Sequence, residues 1–474
     1  MIDLRASPVV PWNRAKPIGL PASTVGAAPI ERVAAISPWP LFLFCWPMIF
    51  LLFNDLTSPS RSYSDQELLS SVVDNVETGA SILARVFVVV LGIVGATLLV
   101  RYRSRIKLSP AIASLALALF TWSAMTVAWS TDPALSLRHI VYLALMTLFA
   151  AGCAARMNTF SLSVYLVSIP GIALVPGILA EMYYGTFRPF SSGYRFSGCA
   201  VHPNVEAATL AVATGTLCWL SWRTRGVQRC RFALASLFVG GFLVLTGSRT
   251  SLVATLIGLA VSFALLLARD YPRLLRTAAV YFCLIGTFGA LVYLSSSSGT
   301  LSSAITRSND DSDATSLNGR VYLWKTLLGY AAERPWGGYG YGSFWTPQRI
   351  EDVSKEEGWA IQQAHSAYLE QLLTLGIPGL TLYVALLCAC LFRCVAHFWW
   401  HRDGYGAWVP ILVVIMVHNL TEGTNVNPSA TNLVFLLIVA HLGIVRPDPP
   451  SLTANSSDLF AESRGVRGVE CQYG

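Results

Sequence analysis

His365 stands where a polar stretch, about residues 295–364, gives way to an apolar run, in the segment His365-Ser366-Ala367-Tyr368-Leu369-Glu370. Imidazole gains and loses a proton near neutral pH, and at the mouth of an apolar helix it is well placed to move one. Arg249 lies in the short turn Thr246-Gly247-Ser248-Arg249-Thr250-Ser251 between two apolar runs, and Arg320 sits in Asn318-Gly319-Arg320-Val321-Tyr322-Leu323-Trp324. Guanidinium suits a phosphate or diphosphate by its bidentate geometry and permanent charge. The three residues together point to a displacement: Arg249 and Arg320 hold a departing diphosphate, and His365, as general base, takes the proton of an incoming hydroxyl. Direct attack at a sugar's anomeric carbon would invert that centre without a covalent enzyme intermediate.

The elements that must position these residues are membrane helices. Of 474 residues, 54% are hydrophobic and only 12% charged, with a mean hydropathy of +0.54, which excludes an ordinary soluble domain. A hydrocarbon core roughly 30 Å thick needs about 20 apolar residues per helix. About twelve runs qualify, near 38–54, 80–100, 109–130, 136–153, 160–180, 204–221, 231–247, 250–268, 275–294, 366–392, 407–421 and 428–445; the first is short and carries Pro40 and Pro47. The expected class is an all-α polytopic membrane protein of about 12 transmembrane helices. Its parts are a cytoplasmic tail over 1–37, a bundle over 38–294, a large outer loop over 295–364 containing short amphipathic helices, a second bundle part over 365–445 and a tail over 446–474. Every second connection is basic, as with Arg101, Arg103, Arg105 and Lys107, with Arg156, and with Arg223, Arg225, Arg229 and Arg231, whereas the first carries Asp55, Asp65, Glu67, Asp74 and Glu77. By the positive-inside rule both termini and the basic connections are cytoplasmic, and His365 faces outward. The net charge of +7 therefore reports orientation and not nucleic-acid binding.

Other outward polar residues gather around the same end. Arg195-Phe196-Ser197-Gly198-Cys199-Ala200-Val201-His202-Pro203-Asn204-Val205-Glu206 puts a proline in the first turn of a helix, with Asn204 and Glu206 at its mouth and His202 four residues before Glu206. His418 and Glu422 repeat that spacing, and Arg138 with His139 begins another span. Arg195, His202, Asn204, Glu206, Arg138 and Glu422 are read as substrate-binding candidates, with helix capping and interhelical hydrogen bonding as the alternative for most of them. Two His/Glu pairs without a further ligand nearby do not make a metal site, so no metal or other cofactor is expected. The ten cysteines include no Cys-x-x-Cys and mostly fall inside apolar runs, where they pack as small apolar groups. Apolar residues at 321, 324, 327 and 328 suggest an amphipathic helix on the outer surface, ended by Trp336-Gly337-Gly338-Tyr339-Gly340-Tyr341-Gly342-Ser343-Phe344. That glycine run is a tight turn and no nucleotide loop. Trp336, Tyr339, Tyr341, Phe344 and Trp345 are available to stack on sugars.

These segments resemble a known group. His365-Ser366, nine residues, then Gly376-x-x-Gly379 is similar to the signature of the O-antigen ligase and polymerase superfamily, bacterial membrane glycosyltransferases acting on undecaprenyl-diphosphate-linked glycans. His202-Pro203-Asn204, Gly247-Ser248-Arg249-Thr250, Asn318-Gly319-Arg320 and Pro335-Trp336-Gly337-Gly338-Tyr339-Gly340 resemble its other recurring segments in the same order, over roughly Trp129 to Glu422. The resemblance implies a twelve-helix bundle with a large periplasmic loop, Arg249 and Arg320 as diphosphate binders, and His365 as base. It further implies the inner membrane, an undecaprenyl-diphosphate-linked oligosaccharide donor, a lipid-linked or lipid A-linked glycan acceptor, membrane lipids as surroundings, and a flippase and chain-length regulator as pathway partners. After Gly379 some ligases carry two threonines where this chain has Leu380-Thr381, a departure from the ligase branch.

The resulting expectation is a glycosyltransferase that polymerises exopolysaccharide, capsule or O-antigen repeat units on the periplasmic face. Ligation to lipid A core or to protein Ser/Thr is the same chemistry with another acceptor. A lipid-glycan transporter is the remote alternative; it would spread charges through the midplane or show inverted repeats, whereas here the polar groups gather on one side.

Overall fold

The computed structural model describes residues 39–60, 81–191, 193–270, 320–399, 403–423 and 429–444. The expected tails 1–37 and 446–474, the run 275–294 and the loop up to Gly319 lie outside the described residues. Thirteen α-helices and no strand occur among them. They are α1 (Trp39–Phe53), α2 (Ile82–Arg101), α3 (Pro110–Met125), α4 (Pro133–Arg156), α5 (Thr159–Tyr183), α6 (Pro203–Arg223), α7 (Gly226–Leu245), α8 (Arg249–Asp270), α9 (Arg320–Glu333), α10 (Pro347–Glu357), α11 (Ala367–Trp399), α12 (Trp408–His418) and α13 (Ala430–Ile444).

Each predicted apolar run among the described residues is a helix, most within a few residues at their ends, while the run expected over 366–392 continues to Trp399. The ends follow local chemistry. Asp132 and Asn158 accept from the backbone N–H three residues on and start α4 and α5, and Pro133, Pro203 and Pro347 occupy first-turn positions that need no donor. Seven of the helices are long and apolar enough to cross a membrane, and α1, α12 and α13 are shorter apolar helices; the protein is a multi-pass membrane protein. The 21-residue α6 is less apolar because it faces protein and not lipid: Ala207, Ala208, Ala211, Ala213, Thr214 and Gly215 are all buried along it. It packs against α5, α7, α8 and α12. On the periphery, α2 and α7 expose Leu83, Val86, Ile93, Leu234, Leu237 and Phe238, an apolar surface that only lipid could cover at this density.

Two sequence expectations are corrected. The buried stripe of α9 is Leu323, Leu327 and Ala331 with Trp324 beside it, while Val321 and Leu328 stay about half exposed. The helix is amphipathic, but its inner face is turned from the one the 321/324/327/328 pattern picked, because it packs on α11 and α10 and does not lie flat on the surface. Nor are most of the aromatics open to sugars. Tyr339, Phe344 and Trp345 are buried with Leu323, Ile350 and Leu373 in a second core. Burial of each such ring is worth roughly 2–3 kcal/mol and favours docking of the loop on the bundle. Trp336 remains 70% exposed.

That loop is locked to α11 by backbone. Gly376 has φ 69° and kinks α11, freeing carbonyls that a straight helix would use. Tyr339 N donates to Leu373 O (2.9 Å), Gly340 N to Thr374 O (3.0 Å) and Ile377 N to Pro335 O (2.8 Å). A Cβ on Gly338 would lie 2.5 Å from the Thr374 carbonyl carbon, and one on Gly376 2.5 Å from Trp336 O. The two glycine motifs are thus halves of one joint, and the joint fixes where α11 begins.

Candidate functional site

The first turn of α11 is set from both sides. Ala367 N donates to Asn419 O (2.9 Å) and Glu422 O (3.2 Å), so the opening of α11 satisfies carbonyls left over at the end of α12. The buried Glu370 carboxylate accepts from Trp345 Nε1 (2.9 Å) and Ala364 N (3.1 Å), which pins the incoming loop. His365 sits between these anchors with φ 48°, the one non-glycine residue of positive φ among the described residues. Holding a histidine there costs on the order of 1–3 kcal/mol, and such outliers are kept where the surroundings over-determine them. Its ring lies 5.6 Å from that of Trp359, centroid to centroid, at a 38° tilt.

Glu422 is the hub of the site. Its Oε1 accepts from Arg320 Nη2 (2.7 Å) and Asn204 Nδ2 (2.8 Å), and its Oε2 lies 3.6 Å from His365 Nδ1. Only 3% of the residue is exposed. Burial works to raise the carboxyl, but the His365 ring and the Arg320 guanidinium outweigh it and hold it down at about 2. Arg320, in the first turn of α9, also donates Nη1 to Thr421 O (2.6 Å). Asn204, in the first turn of α6, accepts from Arg195 Nη2 (2.6 Å), and Arg195 Nε donates to Thr246 O (2.8 Å). Arg195 is itself aimed by the buried Glu181, which accepts from Ser197 N and Gly198 N (both 2.9 Å) and from the Tyr194 hydroxyl.

Arg195, Asn204, Arg320, His365 and Glu422 therefore come together from five separate segments of chain. Arg249 is the exposed first residue of α8. Its neighbour Thr250 accepts from Thr421 Oγ1 (3.2 Å), so its backbone belongs to the same end of the bundle. The basic residues Arg156 and Arg223 are at the opposite ends of α4 and α6.

Other candidates do different work. His202 is the N-cap of α6, its Nδ1 accepting from Asn204 N (3.1 Å), and as a non-helical residue it does not form the expected pair with Glu206. Glu206, 6% exposed, lines a separate cavity. His139 packs edge-on against Tyr341, and Arg138 is exposed, with no described contact joining it to the Glu422 cluster. Sequence reasoning missed Glu181, Glu370 and Trp359. The two acids were legible as lone carboxylates inside apolar runs. Trp359 carried no signal beyond its type. Among the described residues no group of three or more His, Cys, Asp or Glu side chains is arranged to hold a metal ion.

Residues 233–384 match a family model described as O-antigen ligase. The matched segment takes in Arg249, Arg320 and His365, and leaves Arg195, Asn204 and Glu422 outside it. No curated protein matches the chain.

Proposed function

We propose, on the match of residues 233–384 to a family model described as O-antigen ligase, that the protein moves a glycan from undecaprenyl diphosphate to a sugar hydroxyl on the periplasmic face of the inner membrane. The acceptor oxygen forms a bond to the anomeric carbon, and the bond from that carbon to the diphosphate oxygen breaks with its electron pair leaving on the diphosphate. The acceptor proton passes to His365. Its Nδ1 faces Glu422 at 3.6 Å, which leaves Nε2 to meet the substrate, and the carboxylate stabilises the imidazolium that forms.

Arg320 uses only two of its five N–H donors on Glu422 and Thr421, so it keeps donors for a diphosphate. Arg249, exposed at the start of α8, and Arg195, steered by Asn204, supply further positive charge that grows in value as the leaving group develops. Direct displacement gives inversion and needs no metal. Repeat-unit polymerisation is the reaction favoured, and ligation to lipid A core or protein is the same step with another acceptor. A flippase and a chain-length regulator would be partners of the same pathway.

The observation that carries this reading is a single carboxylate reached by both Arg320 and His365, which couples the anion-binding group to the base. Purified protein given lipid-linked oligosaccharide and no nucleotide should lengthen the glycan, and His365→Ala should abolish the product while leaving donor binding. A fully active His365→Ala variant would remove the assignment. A deletion strain with short polysaccharide and lipid A core still capped would favour polymerisation over ligation.

A further inference from the structure

Next to the Glu422 cluster lies a cavity of about 370 Å³ between α1, α5, α6 and the start of α13. That is at the low end of ligand-pocket volumes, roughly 300–1,000 Å³, and suits one or two sugar rings. Glu206 lines it. The residue is 94% buried by its 6% exposure, yet among the described residues nothing donates a hydrogen bond to its carboxyl. A buried carboxyl without a partner is unfavourable unless something entering the cavity supplies the donors.

The other walls say what would enter. Trp46, stacked on Phe50, is the largest aromatic of the lining, and Asn54, Asp55, Thr209, Gln363 and Ser429 are the polar groups around Glu206. No Lys, Arg or His is in the lining. With no cation in its lining, the cavity offers a diphosphate no counter-charge. A hydrocarbon chain would leave Glu206 with no donor at all. A sugar fits both features, since its hydroxyls donate to carboxylates and its ring stacks on an aromatic face. The location fits as well: one turn of α6 sends Asn204 to Glu422 and Glu206 into the cavity, and Gln363 stands two residues before His365.

We propose that this cavity is the acceptor subsite, holding the sugar residue whose hydroxyl attacks, and that Glu206 determines which sugar is accepted. This rests on the glycosyl-transfer reading given above. The diphosphate of the donor and the attacking sugar of the acceptor are then held on either side of the first turn of α6, the diphosphate towards Arg195 and Arg320 and the sugar towards Glu206.

The test uses full-length protein in nanodiscs, undecaprenyl-diphosphate-linked oligosaccharide as donor, and the same repeat unit on a short alkyl chain without phosphate as acceptor. Glu206→Leu should raise the acceptor KM about tenfold while the donor KM stays within about twofold, and Glu206→Gln should do so less. Ala173→Leu narrows the cavity from the α5 wall while leaving Glu206 in the sequence, and should raise the acceptor KM also if Glu206→Leu fails to fold. An unchanged acceptor KM in the folded variants, or a raised donor KM instead, overturns the subsite while leaving the catalytic reading intact. Wild-type protein that extends no glycan removes both.

Discussion

The two oxygens of Glu422 do different things: Oε1 fixes Arg320 and Asn204, and Oε2 faces His365, the proposed base. Glu422→Gln should therefore damage both stability and rate. Breaking one partner of a buried pair costs about 3–5 kcal/mol, and since the Arg320 side chain keeps 14% exposure the lower end applies. Thermal unfolding in detergent should report that loss, and kcat should fall at least about tenfold because the imidazolium has lost its counter-charge. The sign of the stability effect with pH is fixed by a depressed carboxyl. Its contribution is present above the ordinary carboxylate value near 4.5 and is lost as pH falls towards about 2. The stability gap between wild type and Glu422→Gln should thus persist at pH 5 and close below pH about 2. Arg320→Lys keeps the charge but loses the planar fork, so the donor KM should rise about tenfold with the acceptor KM unchanged. Equal effects on both would argue against Arg320 as a diphosphate contact.

Among the elements, the joint between the glycine-rich loop and kinked α11 sets the position of His365 without touching it. Gly376→Ala should be severe, because φ 69° disfavours a side chain and the new Cβ would meet Trp336 O at 2.5 Å. Gly358→Ala makes the useful contrast: φ is 78°, but nothing lies within 4 Å of the new Cβ, so only the backbone term of about 1 kcal/mol remains. Comparing the two by thermal unfolding separates steric docking from conformational preference, and similar losses would remove the joint as the cause. The glycine run was readable from sequence as a turn. Its partner was not, because Gly376 lies a helix and a loop away in the chain and only the kink reveals which carbonyls are available.

For the whole molecule, α6 carries Asn204 of the Glu422 cluster at its first turn and the basic Arg223 at its last. Impermeant maleimide should label an introduced Ser191→Cys from outside intact spheroplasts, and the exposed native Cys230 only after the inner face is opened. The reverse pattern would invert the proposed topology. Length and apolarity of each run were enough to find the apolar helices among the described residues, since a span must satisfy its own backbone whatever it packs against. Arg249, Arg320 and His365 could likewise be singled out by type, because the proposed proton transfer and diphosphate binding each demand particular side chains. What the chain's order could not disclose is which residues meet. Asn204 and Glu422, 218 positions apart, share a hydrogen bond; α9 turned its Leu323/Leu327/Ala331 face inward against expectation; and Tyr339, Phe344 and Trp345, open by sequence, became core. Local pattern dictates what a segment is, whereas partner, buried face and the cavity beside Glu206 depend on long-range packing that no single segment encodes.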